Sequence, residues 1–204
     1  KILFAKDNAL LMRGSTPKQE HLPKWKTSLP PGEERLPLVD RYLELNLLNN
    51  SLDSATRGQA RVLLVEGEAG IGKTRLVEEF LAHQTTGRIA VLDGHCYPME
   101  SPLPYQAFIP ILHAVLSLLE DISPSNKGDH CEELRNYLSG WDKSVTRQTE
   151  GTKDSVHQLA PHLSALLREI TQSRPAVLFL DDCQWADAAS KDLLAYLAHS
   201  LPHE

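Results

Sequence analysis

The chain has 204 residues, a formal net charge of −6 and 41% hydrophobic residues, which is the composition of a folded globular domain. The acidic balance argues against non-specific binding of nucleic acid, and no apolar stretch is long enough to span a membrane. The chain has three cysteines, which are far apart in the sequence. That spacing argues against a disulfide framework and favours a cytoplasmic location.

The first part of the chain is rich in proline and charge. Residues 13–37 hold five prolines among many charged side chains, a composition typical of an extended linker. The residues before this stretch are interpreted as the tail of a preceding domain. We therefore divide the chain into a linker and tail over residues 1–36 and one folded domain over residues 37–204, and expect the whole to be a piece of a longer protein.

The folded domain begins with a predicted helix and a predicted strand. From Asp40 onward, apolar residues recur at helical spacing, with Leu43, Leu47, Leu48 and Leu52 on one face. The run RVLLVEG then reads as a strand. Because the run does not alternate with polar residues, the strand is predicted to be buried on both faces, as in a parallel sheet covered by helices.

The rest of the chain alternates helices with two more strands. A helix is predicted after Gly72, and strands are predicted at RIAVLDG, residues 88–94, and AVLFLDD, residues 176–182. Between and after these strands, helical spacing of apolar residues predicts helices near 105–119, 130–138, 154–172 and 187–200. This order of elements predicts an α/β fold of three layers with a parallel sheet.

A glycine-rich segment joins the first strand to the next helix and ends in Gly-Lys-Thr. Its pattern is G-x-x-x-x-G-K-[ST], in which glycines let backbone N–H groups surround phosphates and the helix adds the positive end of its dipole. The lysine would bind the β- and γ-phosphates, and the threonine hydroxyl would bind Mg²⁺. The segment therefore predicts a P-loop NTPase, with a cofactor-binding set of Gly67, Glu68, Ala69, Gly70, Ile71, Gly72, Lys73, Thr74 and Arg75.

Two adjacent carboxylates follow the most apolar strand. Asp181 and Asp182 come directly after the run VLFL, at the carboxyl end of the strand, where ligands bind in open α/β sheets. We assign Asp181, with Thr74, to Mg²⁺. Asp182 is assigned to orienting the attacking water, so that Lys73 and Asp182 are the candidate catalytic residues.

Other polar and aromatic residues are given no role in this prediction. His95-Cys96 and His130-Cys131 suggest a zinc site, but no C-x-x-C motif accompanies them, so these histidines are interpreted as structural or surface residues. Tyr105 is interpreted as a packing residue, as is Trp185.

The motifs together resemble a known family. LVEGEAGIGKTRLVEEFL, with LFLDDCQWADAASKDLLAYLAH and the upstream LVDRYLEL, is similar to the ATPase domain of bacterial STAND-type regulators. These include the large ATP-binding LuxR-family activators and are often grouped with origin-recognition-like AAA ATPases. The resemblance covers about residues 36–201. It implies that Arg41 lies near the nucleotide, and it makes Asp40 a departure, because the family usually has glycine there.

The resemblance implies a function and also a gap. It implies that the domain binds ATP or ADP with Mg²⁺, changes its assembly state and forms homo-oligomers when ATP is bound. It also implies that a DNA-binding or cyclase output module flanks the domain in the longer protein. From the apolar stretches and the acidic charge, we expect no membrane contact and no direct nucleic acid binding by this domain. The resemblance implies a sheet of five strands. The strand between the P-loop strand and the aspartate strand would lie beyond Glu204. The fold is therefore expected to be incomplete at its C-terminal end, with that position unfilled and with sensor and arginine-finger residues outside the chain.

Two alternatives to a regulatory switch stay open. One is a dedicated P-loop enzyme, such as a kinase or a transport ATPase. The other is an interaction scaffold that binds nucleotide without hydrolysing it. For the switch, we expect slow ATP hydrolysis by the full-length protein and little activity of this fragment alone. The preference for adenine over guanine depends on the resemblance.

Overall fold

The structure is a computed structural model that describes residues 2–3, 40–84, 89–98, 104–122, 128–144 and 154–200. Helices and strands alternate along these residues, in the mixed order predicted for an α/β fold. Short 3₁₀ turns at Gln106–Phe108 and Cys183–Trp185 precede two of the helices. The elements are β1 (Ile2–Leu3), α1 (Tyr42–Thr56), β2 (Leu63–Leu64), α2 (Lys73–His83), β3 (Ala90–His95), α3 (Ile109–Ile122), α4 (Asp129–Ser144), α5 (Asp154–Ser173), β4 (Ala176–Asp181) and α6 (Ala188–Ser200).

The two longest strands are parallel, as predicted. β3 and β4 pair over six residues in a register that begins at Ala90 opposite Ala176 and ends at His95 opposite Asp181. The ladder is extended by one backbone hydrogen bond, from the Cys96 N–H to the Asp181 carbonyl at 3.0 Å. Because both strands run in the same direction, the residues that follow them lie at one edge of the sheet.

The position between β2 and β4 is filled by a strand that the sequence pattern did not predict. The strand order is β2-β1-β4-β3. β1 is antiparallel to both neighbours, with Ile2 opposite Leu64 on one side and opposite Leu180 on the other. The expectation of an unfilled position is therefore wrong, and the sheet is parallel only in part. The rest of the predicted linker lies outside the described residues.

Strand β4 passes through the centre of the apolar core. All six of its residues are buried, which agrees with a strand covered by helices on both faces. Val177 and Phe179 pack with residues of α1 and α2 in one apolar cluster. Leu178 and Leu180 alternate with them and pack in a second cluster with residues of α3 to α6. β4 therefore holds its terminal carboxylates at a fixed place between the two clusters.

Gly94 allows the segment before α3 to lie directly on the sheet. A β-carbon at Gly94 would collide with the backbone carbonyl of Ala107 and press against Leu180 and Ile111. A glycine inside a strand often marks such a close backbone approach. Since Gly94 immediately precedes His95, this contact also fixes the end of β3.

The buried face of α1 differs from the predicted face. Leu48 and Leu52 are buried as predicted, together with Ala55, but Leu43 and Leu47 are 83% and 58% exposed. Leucines occur on more than one side of this helix, so periodicity alone does not select the side that meets α2. Among the helices of the described ranges, none is both long and apolar enough to cross a membrane.

Candidate functional site

The glycine-rich segment forms an exposed loop between β2 and α2. Gly70 and Gly72 have φ angles of 79° and 93°, in the left-handed region that favours glycine. A β-carbon at either position would meet nothing within 4 Å, so the backbone conformation, and not lack of space, calls for glycine there. Gly72 is also the residue before α2, so the loop leads directly into the N-terminus of a helix. The other loop positions of the predicted set, which are Gly67, Glu68, Ala69 and Ile71, are all exposed.

Lys73 closes the loop by binding its backbone. The Nζ atom donates hydrogen bonds to the carbonyls of Gly67 and Glu68, both at 2.8 Å. The ammonium group therefore lies over the loop at the start of α2. Thr74 follows at an exposed position of the same first turn. These residues present backbone N–H groups, one positive charge and one hydroxyl from a single helix terminus.

Arg75 lies in the same turn of α2 but is directed elsewhere. One of its guanidinium nitrogens binds the Glu79 carboxylate at 3.1 Å, one turn further along the helix. The guanidinium is thus held along the helix by this ion pair. This ion pair directs the Arg75 side chain toward Glu79 and along the helix.

Arg41 comes to the glycine loop from a distant part of the sequence. Its guanidinium donates to the Ile71 carbonyl at 3.3 Å and to the Glu44 carboxylate at 2.9 Å. Hydrogen bonds from the backbone at Glu44 and from Arg41 lower the pKa of that carboxyl. Asp40, the residue before Arg41, has a φ of 55°, so the chain makes there the left-handed turn for which a glycine would be usual.

The two carboxylates lie at the end of β4 in different environments. Asp181 is 6% exposed, and its Oδ1 accepts a hydrogen bond from the Asp182 N–H at 2.8 Å. Asp182 is half-buried and has a φ of 53°, which is uncommon for a residue with a side chain. Its Oδ1 accepts a hydrogen bond from the Gln184 Nε2 at 3.2 Å. Each Oδ1 thus accepts a hydrogen bond from a residue that follows it in the chain.

His95, at the end of β3, lies between these carboxylates. Its Nδ1 is 3.9 Å from the Asp181 Oδ2, and its Nε2 is 3.6 Å from the Asp182 Oδ2. Its ring also packs on Tyr97, with centroids 4.4 Å apart. The sequence analysis treated His95 as a structural or surface residue and missed this placement. The available signal was its position directly after a predicted strand that neighbours the aspartate strand.

Two cysteines lie beside this group. The interaction between the thiols of Cys96 and Cys183 lowers the pKa of Cys183 and raises that of Cys96. Burial of Cys96 also raises its own pKa. The carboxyl edge of β3 and β4 therefore carries thiols as well as carboxylates and an imidazole.

The residues after Asp182 mainly stabilise the fold. Asp187 accepts hydrogen bonds from the Ser190 N–H at 2.8 Å, the Ser190 hydroxyl at 2.6 Å and the Tyr105 N–H at 3.3 Å. Asp187 thereby fixes the start of α6 to the turn before α3. Tyr105 is 1% exposed, as expected of a packing residue, whereas Trp185 is 50% exposed. The packing role expected of Trp185 is therefore wrong.

The chemistry of this edge suits a phosphorylated ligand and a cation. The loop offers N–H groups and an ammonium group to anionic oxygens. The carboxylate oxygens of Asp181 and the hydroxyl of Thr74 are ligand types that Mg²⁺ accepts. The two groups of residues are thus of the chemical types that bind phosphate oxygens and Mg²⁺.

The comparisons with known proteins agree with this chemistry. An uncharacterized protein of Rhizobium meliloti (strain 1021) is 27% identical over 182 residues, which cover 79% of this chain and 17% of the relative. Hybrid signal transduction histidine kinase G of Dictyostelium discoideum is 26% identical over 179 residues, which cover 80% of this chain and 5% of that protein. The chain thus spans less than a fifth of the length of either relative.

No solved structure matches the chain. The family model of the AAA ATPase domain matches residues 37–204, a range that contains the glycine loop, both carboxylates and His95. A domain of this family is suited to nucleotide binding, as the loop geometry indicates. The chain belongs to the AAA ATPase domain family.

Proposed function

We propose that residues 37–204 form an ATP-binding switch domain that hydrolyses ATP slowly within a larger signalling or transcriptional regulator of the STAND type. The observation that carries the proposal is the loop at Gly70 and Gly72, which leads into α2 beside the Lys73 ammonium group. Membership of the AAA ATPase domain family supports it. We propose a three-layer P-loop arrangement for the domain, which the two apolar clusters on either side of β4 support.

Each site residue has a proposed task. The backbone from Gly67 to Thr74 holds the phosphates, and the Lys73 ammonium exchanges its carbonyl partners for phosphate oxygens. Thr74 and Asp181 hold Mg²⁺, which neutralises phosphate charge when bound. Asp182 orients a water molecule through its carboxylate.

Arg41 and Arg75 differ in how readily their guanidinium groups can contact a bound nucleotide. Arg41 contacts the Ile71 carbonyl, so its guanidinium is already placed at the phosphate loop and can respond to an anionic ligand. Arg75 would have to leave Glu79 before it could reach a nucleotide. We therefore propose Arg41 as a nucleotide contact. Arg75 would become one only after its ion pair with Glu79 breaks.

The regulatory part of the proposal concerns the whole protein. Since the chain spans 17% and 5% of its two relatives, we propose that residues 1–36, apart from Ile2–Leu3, which pair in the sheet, are the linker and tail of a preceding domain. We propose that flanking modules carry the output, by DNA binding or cyclase activity. One relative is named as a signal transduction histidine kinase, which supports a signalling context. Oligomerisation on ATP binding and a cytoplasmic location belong to the same proposal.

The direct test is the affinity of the protein for ATP with Mg²⁺, measured by calorimetry. Lys73→Ala should weaken ATP binding by about tenfold or more, because each tenfold change corresponds to about 1.4 kcal/mol and a charge-assisted hydrogen bond is worth at least that. Lys191→Ala, at an exposed position of α6, is the matched control and should bind normally. Equal affinity in the two variants would remove the assignment of the phosphate loop.

Phosphate release separates the switch from a scaffold that does not hydrolyse ATP. Asp182→Asn in the full-length protein should bind ATP and release phosphate more slowly, since the amide orients water less effectively than the carboxylate. If the parent protein binds ATP without releasing phosphate under any condition, the scaffold alternative is correct. If the parent hydrolyses ATP and the variant does so equally fast, Asp182 has no part in hydrolysis.

A further inference from the structure

We infer that His95, Asp181 and Asp182 form a binding site for a divalent transition-metal cation that is occupied without nucleotide. One ligand atom from each residue can be chosen so that all three lie within 4.8 Å of one another. The site would take a cation that accepts nitrogen and oxygen ligands together, of the Mn²⁺ or Co²⁺ kind. It shares Asp181 with the proposed magnesium site but uses a histidine that the proposed function does not.

Each ring nitrogen of His95 faces a different carboxylate, and neither lies within hydrogen-bonding distance of it. The ring nitrogens lie 3.9 Å and 3.6 Å from the nearest carboxylate oxygens, beyond the range of about 2.7–3.2 Å for N–H···O hydrogen bonds. Two ligand atoms each about 2.1 Å from a tetrahedral ion are separated by roughly 3.4 Å. A single ion can use only one of the two ring nitrogens, so the half-exposed imidazole must shift to bring that nitrogen to the ion together with both carboxylates.

The surroundings hold both carboxylates in the required orientation. The Oδ1 of Asp181 is bound by the Asp182 N–H, and the Oδ1 of Asp182 is bound by Gln184. In each case the Oδ2 atom is the one nearest His95. Two negative oxygens held this close repel each other, and a cation between them removes that repulsion. Because Asp181 is nearly fully buried, solvent screens this repulsion only weakly.

The imidazole decides which cations the site prefers. Carboxylates alone suit Mg²⁺, Ca²⁺ and Mn²⁺, whereas an added imidazole favours later first-row metals over Mg²⁺. One ring nitrogen can bind the metal while the other donates to a neighbouring oxygen, an arrangement that orients metal-binding histidines in general. The site should therefore bind Co²⁺ more tightly than Mn²⁺, and both more tightly than Mg²⁺.

The choice of metal probe follows from two other groups in the described part of the chain. Cys96 and Cys183 lie beside the site, and the imidazoles of His130 and His162 are in contact between α4 and α5, with 2.8 Å between their Nδ1 atoms. Thiolates and paired imidazoles attract Zn²⁺ strongly. Mn²⁺ prefers oxygen ligands, so Mn²⁺ is the probe least affected by these groups.

The experiment measures Mn²⁺ binding to nucleotide-free protein by electron paramagnetic resonance, from the loss of the signal of the free ion. The parent chain should bind one Mn²⁺, and an excess of Mg²⁺ should displace it poorly. His95→Phe keeps the ring that packs on Tyr97 and removes the nitrogen ligands, so it should lower Mn²⁺ affinity by about tenfold or more. His113→Phe, at an exposed position of α3, is the matched control and should bind as the parent does.

Further variants separate this inference from the proposed function. Lys73→Ala should retain Mn²⁺ binding although it loses ATP affinity, whereas Asp181→Asn should lose Mn²⁺ binding. Co²⁺ absorption spectra should show ligation by nitrogen in the parent and lose that feature in His95→Phe. The inference is overturned if the parent binds no Mn²⁺ without nucleotide, or if His95→Phe and His113→Phe bind Mn²⁺ equally well. Neither result would touch the assignment of the phosphate loop.

Discussion

At the scale of single residues, Tyr105 is a large polar side chain in an apolar place. It is 1% exposed, and its hydroxyl has no hydrogen-bond partner among the described residues. Burial, followed by the charges of Asp187 and Asp192, raises the pKa of Tyr105 to about 12. The hydroxyl is thus held neutral in the folded protein, and its ring packs edge-on against Tyr137.

Replacing Tyr105 by phenylalanine should therefore stabilise the domain. Removal of a buried hydroxyl without a partner should raise the free energy of unfolding by about 1 kcal/mol at neutral pH. The sign of the pH effect follows from the raised pKa. The contribution of a neutral Tyr105 is complete below the unfolded pKa of about 10 and is lost as the pH rises through about 12. Tyr105→Phe should lose less stability between these values than the parent, as measured by urea unfolding.

A surface tyrosine provides the control for this measurement. Tyr196 is 41% exposed, so Tyr196→Phe should change the free energy of unfolding little at any pH. The pKa of Tyr137 is also raised by burial, so some alkaline loss of stability should remain in both variants. A Tyr105→Phe protein that is clearly less stable than the Tyr196→Phe protein at neutral pH would show that the hydroxyl is bound in solution.

At the scale of secondary structure, the start of α6 depends on Asp187. This residue lies in LFLDDCQWADAASKDLLAYLAH, a segment that carries the family resemblance, and its carboxylate accepts hydrogen bonds from Ser190 and from the backbone of Tyr105. An aspartate before the first turn satisfies a backbone N–H that the helix leaves unpaired. The same carboxylate joins α6 to the turn before α3, which holds one end of the larger apolar cluster in place.

Asp187→Ala should accordingly weaken the domain without touching the phosphate loop. Loss of such a cap costs about 0.5–2 kcal/mol of folding free energy. Asp187→Asn keeps an oxygen acceptor for the Ser190 N–H and should cost less. Asp192→Ala, at an exposed position later in α6, serves as the control for a lost aspartate. If urea unfolding shows that Asp187→Ala has a free energy of unfolding no lower than that of Asp192→Ala, the capping role is contradicted.

At the scale of the whole molecule, sequence patterns predict the parts of the fold that are long or chemically constrained. The parallel strands at β3 and β4 follow from continuous apolar runs, and the loop at Gly70 and Gly72 follows from the backbone angles that a phosphate loop needs. The helices between them were predicted to within a few residues, except for α4, which is longer than predicted. All of these elements carry a repeated or position-specific signal in the sequence.

Features without such a signal could not be predicted. β1 contains two residues, too few to show any periodicity, and its partners are distant in the sequence. The position of His95 after a predicted strand indicates the edge of the sheet, but its meeting with Asp181 depends on the register of β3 against β4, which side-chain patterns alone do not give. The exposure of Leu43 on α1 reflects which side of that helix meets α2. In each case the deciding contact is long-range, so local sequence carries no record of it.

Strand β1 connects the phosphate loop to the aspartate strand, and this connection can be tested. In the described part of the sheet, β2 pairs with β1, and β1 pairs with β4. Proline has no backbone N–H and is not tolerated between two paired strands. Because neighbouring residues of a strand donate to opposite sides, the double variant Ile2→Pro, Leu3→Pro removes the donors to both β2 and β4.

The double proline variant should loosen β2 while leaving β3 and β4 paired. Hydrogen exchange at the amides of Leu63 and Leu64 should accelerate, and the free energy of unfolding should fall by about 1–3 kcal/mol, since each lost hydrogen bond is worth about 0.5–1.5 kcal/mol. Ile2→Val, Leu3→Val keeps the donors and the preference for strand, so it should retain the slow exchange of the parent. Slow exchange at Leu63 and Leu64 in the proline variant would mean that β2 is held to the sheet without β1, and that the phosphate loop and the carboxylates of β4 are joined by the apolar cluster around Phe179 alone.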